Sequence, residues 1–300
     1  MTMRKRKKSA GRIAFEFVNI TLLLILCVGC LLPMVHVLAV SLSDKSLADG
    51  GMVVLLPLKI NLDSYQYILR TNEFFNGFRI SVLRVVLGLA INMVLVVLAA
   101  YPLSKEAAAF KGRTPIVWYF VVTMLFGGGL IPLYMTVKAT GLMDSVWALI
   151  LPGAVPVFNV VLMINFFRTL PKELEESALI DGAGHWTILI RIFIPLSTAG
   201  LATIALFTTV GHWNSWFDGL IFMNDPKNYP LQSYLQTVIV GLTNALTTKV
   251  FSENWQLLQK ISDRTVKCAQ IFIAALPILA VYPFLQKYFV KGLVLGSVKQ

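Results

Sequence analysis

Four acids fall within nine residues of this chain: Glu173, Glu175, Glu176 and Asp181. They lie in a polar stretch, Pro171 to Pro195, set between two strongly apolar runs. The stretch also holds Ser177 and His185, but no nucleophile motif or metal-ligand spacing accompanies the acids, and no catalytic role is expected of them. Acids in a first helical turn face the positive end of the helix dipole. They can also set the register of a docked protein through ion pairs. Lipid is a poor recipient, because acids are not attracted to an anionic leaflet. A second group, Gly211-His212-Trp213-Asn214-Ser215-Trp216-Phe217-Asp218, combines aromatic faces with hydrogen-bonding groups.

Other chemistries are absent from the sequence. It has no G-x(4)-G-K-[ST] phosphate loop, no H-E-x-x-H and no G-x-S-x-G elbow. Its three histidines (His36, His185, His212) are scattered, and its three cysteines (Cys27, Cys30, Cys268) sit in apolar runs with neither metal nor disulfide spacing. Neither a cofactor, a metal nor an enzymatic activity is expected.

The elements that position these groups follow from composition. Hydrophobic residues make up 57% of the 300, charged residues 14%, and mean hydropathy is +0.73. A soluble domain would carry about a quarter charged residues, so an all-α polytopic membrane protein is expected. A span needs about 20 apolar residues. Six segments qualify, at about 13–40, 79–103, 115–137, 145–167, 193–222 and 267–290. The first is too long for a cleavable signal core and reads as a retained span. The expected organisation is a basic N-terminus at 1–12, one six-span domain at 13–290 and a tail at 291–300.

The net charge of +11 does not imply nucleic acid. Six of the 26 Lys/Arg (Arg4, Lys5, Arg6, Lys7, Lys8, Arg12) directly precede the first span, which is an orientation signal. With that end inside and six crossings, fifteen of the 26 cations fall on the cytoplasmic side. The 171–195 stretch then faces the cytoplasm, between spans 4 and 5. The loops at 41–78 and 223–266 lie outside. Leu62 to Phe75 is a possible helix in the first. In the second, Leu231, Tyr234, Leu235, Val238, Ile239, Leu242 and Leu246 recur at helical spacing. The span centres hold Asn92, Asn159 and Asn165 but no Asp or Glu, which argues against a proton relay. Arg79 and Arg84 near the start of the second span read as snorkelling cations. Gly127, Gly128 and Gly129, followed by Pro132, should weaken the third span near its middle, as a gate hinge or for close helix packing.

Within the central stretch, Pro171 suits the first turn of a helix. Asp181-Gly182-Ala183-Gly184 breaks it, with Gly182 able to take the left-handed conformation, and a short helix resumes from His185. Glu176-Ser177-Ala178, then Gly182, then Ile192, Ile194 and Pro195 resemble the EAA signature of ABC-importer permeases, with Ser177 and Ile194 as small departures. EESALIDGA is similar to the MalG-like carbohydrate permeases. FGGGLIP at 126–132 and GHWNSWFD at 211–218 resemble the subgroup paired with LplB-like permeases.

That resemblance implies a type I ABC importer fold with two short coupling helices. An ATPase would dock on Glu175, Glu176, Ser177, Ala178, Asp181, Gly182, Ala183, Ile192 and Pro195. It implies further partners: a second homologous permease, two ATP-binding subunits in all, an extracellular solute-binding protein and membrane lipid. The cargo would be an oligosaccharide. Aromatic rings stack on sugar C–H faces, so His212, Trp213, Asn214, Trp216 and Asp218 are substrate-path candidates, with an interfacial aromatic belt as the alternative. A permease for a peptide or polyamine, and an ion-coupled carrier or channel, are the competing readings of the whole chain.

Overall fold

A computed structural model describes residues 10–239 and 262–297. Arg4 to Lys8, Leu242, Leu246 and Lys299 lie outside the described residues. Among the described residues the chain is helical, with no strand. Three helices are long and apolar enough to cross a membrane singly: α1 (Ala10–Ser41), α4 (Asn72–Ser104) and the start of α15 (Asp263–Ser297). Three further spans are bent pairs, giving six crossings when each pair counts once.

The breaks follow the sequence. α5 (Arg113–Leu125) and α6 (Leu130–Ala139) meet at 112° across Gly127–Gly129, where Gly129 takes φ +86. α7 (Val146–Ile150), with the 3-10 turn Leu151–Gly153, meets α8 (Val157–Arg168) at 50°, between Pro152 and Pro156. The segment His185–Leu196 meets α12 (Thr198–Asn214) at 80°. Expected as one run, 193–222 is therefore three pieces. α12 stops at Asn214, Ser215 is extended, and α13 (Phe217–Phe222) starts anew.

Contacts group residues 10–70 with 262–274 in one compact unit, and 71–239 with 275–297 in another. In the first, α1 presents apolar side chains on all sides along most of its length, as a lipid-facing helix does. Its C-terminal turn packs Ala39 and Val40 on Ala48 and Val53. Ser64, on the short helix α3 (Asp63–Arg70), donates to Thr265 at 2.9 Å, and Arg264 caps the carbonyl of Ala48 at 3.0 Å.

In the second unit α4 is the axis, packed against α8 and α12. Small residues permit the approach: a Cβ on Gly200 would meet the Phe166 ring at 2.6 Å. The apolar core, including Val96, Ala100, Val160, Met163 and Ile204, lies toward the Ser104 end of α4. Toward its Asn72 end lies α14 (Leu231–Ile239), with Leu231, Tyr234, Leu235 and Val238 buried and the backbone of Leu231 bonded to Ser81 at 2.8 Å. The expected amphipathic helix is present over these residues.

Candidate functional site

Two features are arranged along α4, one at its Ser104 end and one about its middle. At the Ser104 end sits the 171–195 stretch. α9 (Glu173–Ile180) begins two residues after Pro171, with three glutamates in its first turn. It closes in a Schellman arrangement. Ala183 N bonds to Ala178 O (2.9 Å), Gly182 N bonds to Leu179 O (3.0 Å), and Gly182 adopts φ +79. Ala178 and Ala183 rest on the core below, so the turn is fixed from beneath. α10 (His185–Ile188) follows. Pro195 has no N–H for the carbonyl four residues earlier, and the turn before it widens to π geometry over Leu189–Phe193. Ile192 is half-buried against the core, and Pro195 is exposed in the short α11 (Ile194–Leu196).

The outer face of this pair is apolar with acids between. Ile180 is 86% exposed and Trp186 67%, beside exposed Leu179, Glu176, Ser177 and Asp181. Glu175 instead turns inward and bridges Lys105 Nζ at 2.5 Å. The ammonium lies 3.9 Å from the centre of the Tyr101 ring and 4.2 Å from that of Phe193, rings which themselves meet edge-to-face at 5.0 Å. Burial pulls Lys105 below the ordinary lysine range, while the Glu175 carboxylate opposes that shift. Next to it Glu106 pairs with Lys172 in the open. The hydrogen bond and charge of Lys172 lower Glu106, and those of Glu106 raise Lys172; both are fully exposed, so the pair is screened.

The second feature is a cleft of about 510 Å3 farther along α4. Arg84, read from sequence as snorkelling, is buried in its wall. All five of its N–H donors are engaged. Nε bonds His212 Nδ1 (3.4 Å), Nη1 bonds Ser215 O (3.3 Å) and Asp218 Oδ1 (3.2 Å), and Nη2 bonds Leu149 O (3.2 Å) and Asp218 Oδ2. With Nδ1 accepting, His212 carries its proton on Nε2, facing Asn92. Asn92 is satisfied when its oxygen faces that ring and its nitrogen donates to Ala154 O (3.2 Å) and Gly88 O (3.1 Å). Asn159 and Thr208, 3.3 Å apart, continue the polar lining.

This arrangement sorts the aromatic run. His212 and Asp218 line the cleft, whereas Trp213 is buried edge-on to Phe78 at 5.7 Å. Asn214 and Trp216 are exposed, and Trp216 packs on Phe217 at 5.6 Å. Trp213 and Trp216 do not share one helix, because the chain breaks at Ser215. Asp218 Oδ1 accepts from Ser215 Oγ (2.8 Å) and Gly219 N (2.9 Å), a local turn that directs the carboxylate toward Arg84. Arg84, Asn92 and Lys105 were missed as site residues. An arginine five residues inside one apolar run and an aspartate near the end of another is the signal that was available.

Comparison with known proteins agrees with this layout. The chain is 38% identical over 288 residues to the polygalacturonan/rhamnogalacturonan transport system permease protein YtcP of Bacillus subtilis, covering 95% of this chain and 98% of that one. It is 40% identical over 300 residues to protein LplC of the same organism, covering 99% and 98%. A crystal structure of a bacterial ABC transporter involved in the import of the acidic polysaccharide alginate superimposes with a TM-score of 0.85 at 31% identity, covering 95% of this chain and all of that one. Residues 75–295, which hold α9 and α10, the cleft and most of the spans, match the model of the binding-protein-dependent transport system inner membrane component, and the chain belongs to that family, as a membrane-embedded permease subunit of an ABC importer.

Proposed function

We propose that this subunit pairs with a second, related permease to form the path of an oligosaccharide importer. Two ATPase subunits drive the pair, one of them held on residues 171–195. A solute-binding protein delivers the sugar to the opposite face. Both chain termini and the α9–α10 pair lie in the cytoplasm, and the membrane is a bacterial plasma membrane. The observation that carries this reading is the α9–α10 pair itself. Its inner face is fixed by Ala178, Ala183 and the Lys105–Glu175 bridge, and its outer face is apolar, acidic and uncovered. A load-transmitting handle needs that combination.

Sugar as cargo is supported by the polymers named for the relatives and by the character of the cleft. Asn159 and Thr208 are neutral hydrogen-bonding groups, and Phe207, also in the lining, is an exposed aromatic. Alternating access follows if ATP-driven closure of the motor pulls the handle and tilts the spans. Gly127–Gly129 then serves as the flexible point of the third span.

The test is reconstitution of the complete importer in vesicles with its binding protein. Uptake of labelled oligosaccharide should require ATP and be indifferent to a protonophore. Uptake that survives ATP depletion but collapses with the proton gradient defeats the reading in favour of an ion-coupled carrier. ATP-driven uptake of a peptide or polyamine alone defeats only the assignment of cargo.

A further inference from the structure

α9 is continuous in the chain with α8 and α10, but not with α4, from which it is separated by α5 to α8. Yet α4 carries the cleft residues Arg84 and Asn92. Its 33 residues are continuous, a rod of about 50 Å at 1.5 Å per residue. A movement of α9 reaches the cleft wall only if something joins α9 to the end of that rod. Ala178 and Ala183 pack on the core that α4 shares, but apolar packing is non-directional and fixes no register. Lys105 supplies an attraction. It follows the last residue of α4, its ammonium is seated against rings from α4 (Tyr101) and the π turn (Phe193), and it is paired to Glu175 of α9. One charge thus holds three elements. The neighbouring Glu106–Lys172 pair cannot substitute, because both its side chains are more than 60% exposed and such pairs are screened by solvent.

We infer that Lys105 is a positioning residue of the transport cycle: it clamps the docking helix α9 to α4, so that a pull on α9 is delivered along α4 to the wall of the Arg84–Asp218 cleft. The inference rests on α9 being the docking element for the ATPase. It adds a route that does not run through the covalent connection between the fourth and fifth spans. The side chain has to be cationic and long, and its partner has to be an acid; neither touches the cargo or the nucleotide.

The experiment uses the complete importer with its ATPase subunits in nanodiscs, the binding protein and ATP. It reads the stimulation of ATP hydrolysis by the binding protein. Lys105→Met and Glu175→Gln should each lower the stimulated kcat about tenfold, the size expected when one partner of a coupled pair is removed. KM for ATP should hold, and the double variant should be no worse than the worse single one. Lys105→Arg, which keeps charge and ring contact, should retain most of the stimulation, an outcome that a purely steric role does not produce. Full stimulation in Glu175→Gln, losses that multiply in the double variant, or Lys105→Arg as defective as Lys105→Met would each overturn the inference. If Lys105→Met does not assemble, Glu175→Gln and Lys105→Arg decide alone. Gly182→Pro separates the two levels. If it leaves the ATPase subunits bound, the docking reading itself fails. If it releases them while the Lys105 and Glu175 variants stay fully stimulated, only the clamp fails.

Discussion

Arg84 of α4 and Asp218 of α13 form a two-toothed ion pair, in which both terminal nitrogens of the guanidinium meet both oxygens of the carboxylate. The pair ties the long span to the point where the fifth span breaks. Its remaining donors reach Leu149 O, Ser215 O and His212, so one side chain holds three chain segments around the cleft. A charge at membrane depth is tolerated when its donors are all taken, as here.

Asp218→Asn leaves the buried Arg84 guanidinium without its counter-charge, whereas Arg84→Met leaves a partly exposed carboxylate that keeps Ser215 and Gly219 as donors. Asp218→Asn should therefore destabilise the purified complex by about 3–5 kcal/mol and Arg84→Met by less, seen as lower midpoints in thermal unfolding. Arg84→Lys should recover only part, because an ammonium cannot reach both oxygens and the three remaining acceptors. The double variant Arg84→Met/Asp218→Met should be more stable than either single methionine variant. Wild-type midpoints in the single variants would contradict the buried-pair account.

Gly88 is the position that makes room for the network. A Cβ there would stand 2.4 Å from Nε2 of His212, whose ring is fixed by Arg84 and Asn92. Gly88→Ala should cost about 1–3 kcal/mol through overpacking, whereas Gly211→Ala, with nothing within 4 Å, should be neutral or slightly stabilising. The comparison of the two midpoints is the measurement. Equal midpoints would mean that the ring moves freely.

At Gly182 the constraint is backbone conformation alone. Its φ is +79 and a Cβ would meet nothing within 4 Å. Gly182→Ala should cost about 1–2 kcal/mol in the turn and reduce co-purification of the ATPase, while Gly182→Asn, more at ease in the left-handed region, should do less harm. Alanine behaving like glycine in the pull-down would show that the turn tolerates rearrangement.

Lys105 predicts a pH dependence. Burial lowers its pKa from the ordinary 10.5, against the pull of Glu175. The folded state then binds fewer protons than the unfolded chain just below pH 10.5, so fold stability does not fall as Lys105 deprotonates. What disappears is the charge facing Glu175, Tyr101 and Phe193. Stimulated ATP hydrolysis should thus show an alkaline loss beginning below pH 10.5, and Lys105→Arg should lack it, since arginine stays protonated. Superimposable pH profiles for the two proteins would contradict the assignment.

Most of the frame was legible in the sequence because a bilayer imposes long apolar runs, but the fifth span, expected at 193–222, is a bent pair at 185–214. The helix–turn–helix at 173–188 was legible too, since Gly182 and Pro195 punctuate the stretch for local reasons. What escaped was long-range pairing. Arg84 lies 134 residues before Asp218, and Lys105 lies 70 before Glu175. Each charge is therefore read with its sequence neighbours, Arg84 with Arg79 and Glu175 with the other acids, and not with its partner. The break at Ser215 was hidden for the same reason: it exists because a carboxylate has to reach an arginine on another helix. Trp213 and Trp216 shared one aromatic run, but the break sends one into packing and leaves the other exposed.

The central claim is that residues 171–195 form the surface on which a separate motor subunit pulls from inside the cell. In a background with Cys27, Cys30 and Cys268 replaced, Ile180→Cys can be labelled with a membrane-impermeant maleimide. Labelling should fail in intact cells, succeed in inside-out vesicles stripped of the ATPase, and be blocked when the ATPase subunits are restored. Labelling of Ile180→Cys from the outside of intact cells would contradict the account.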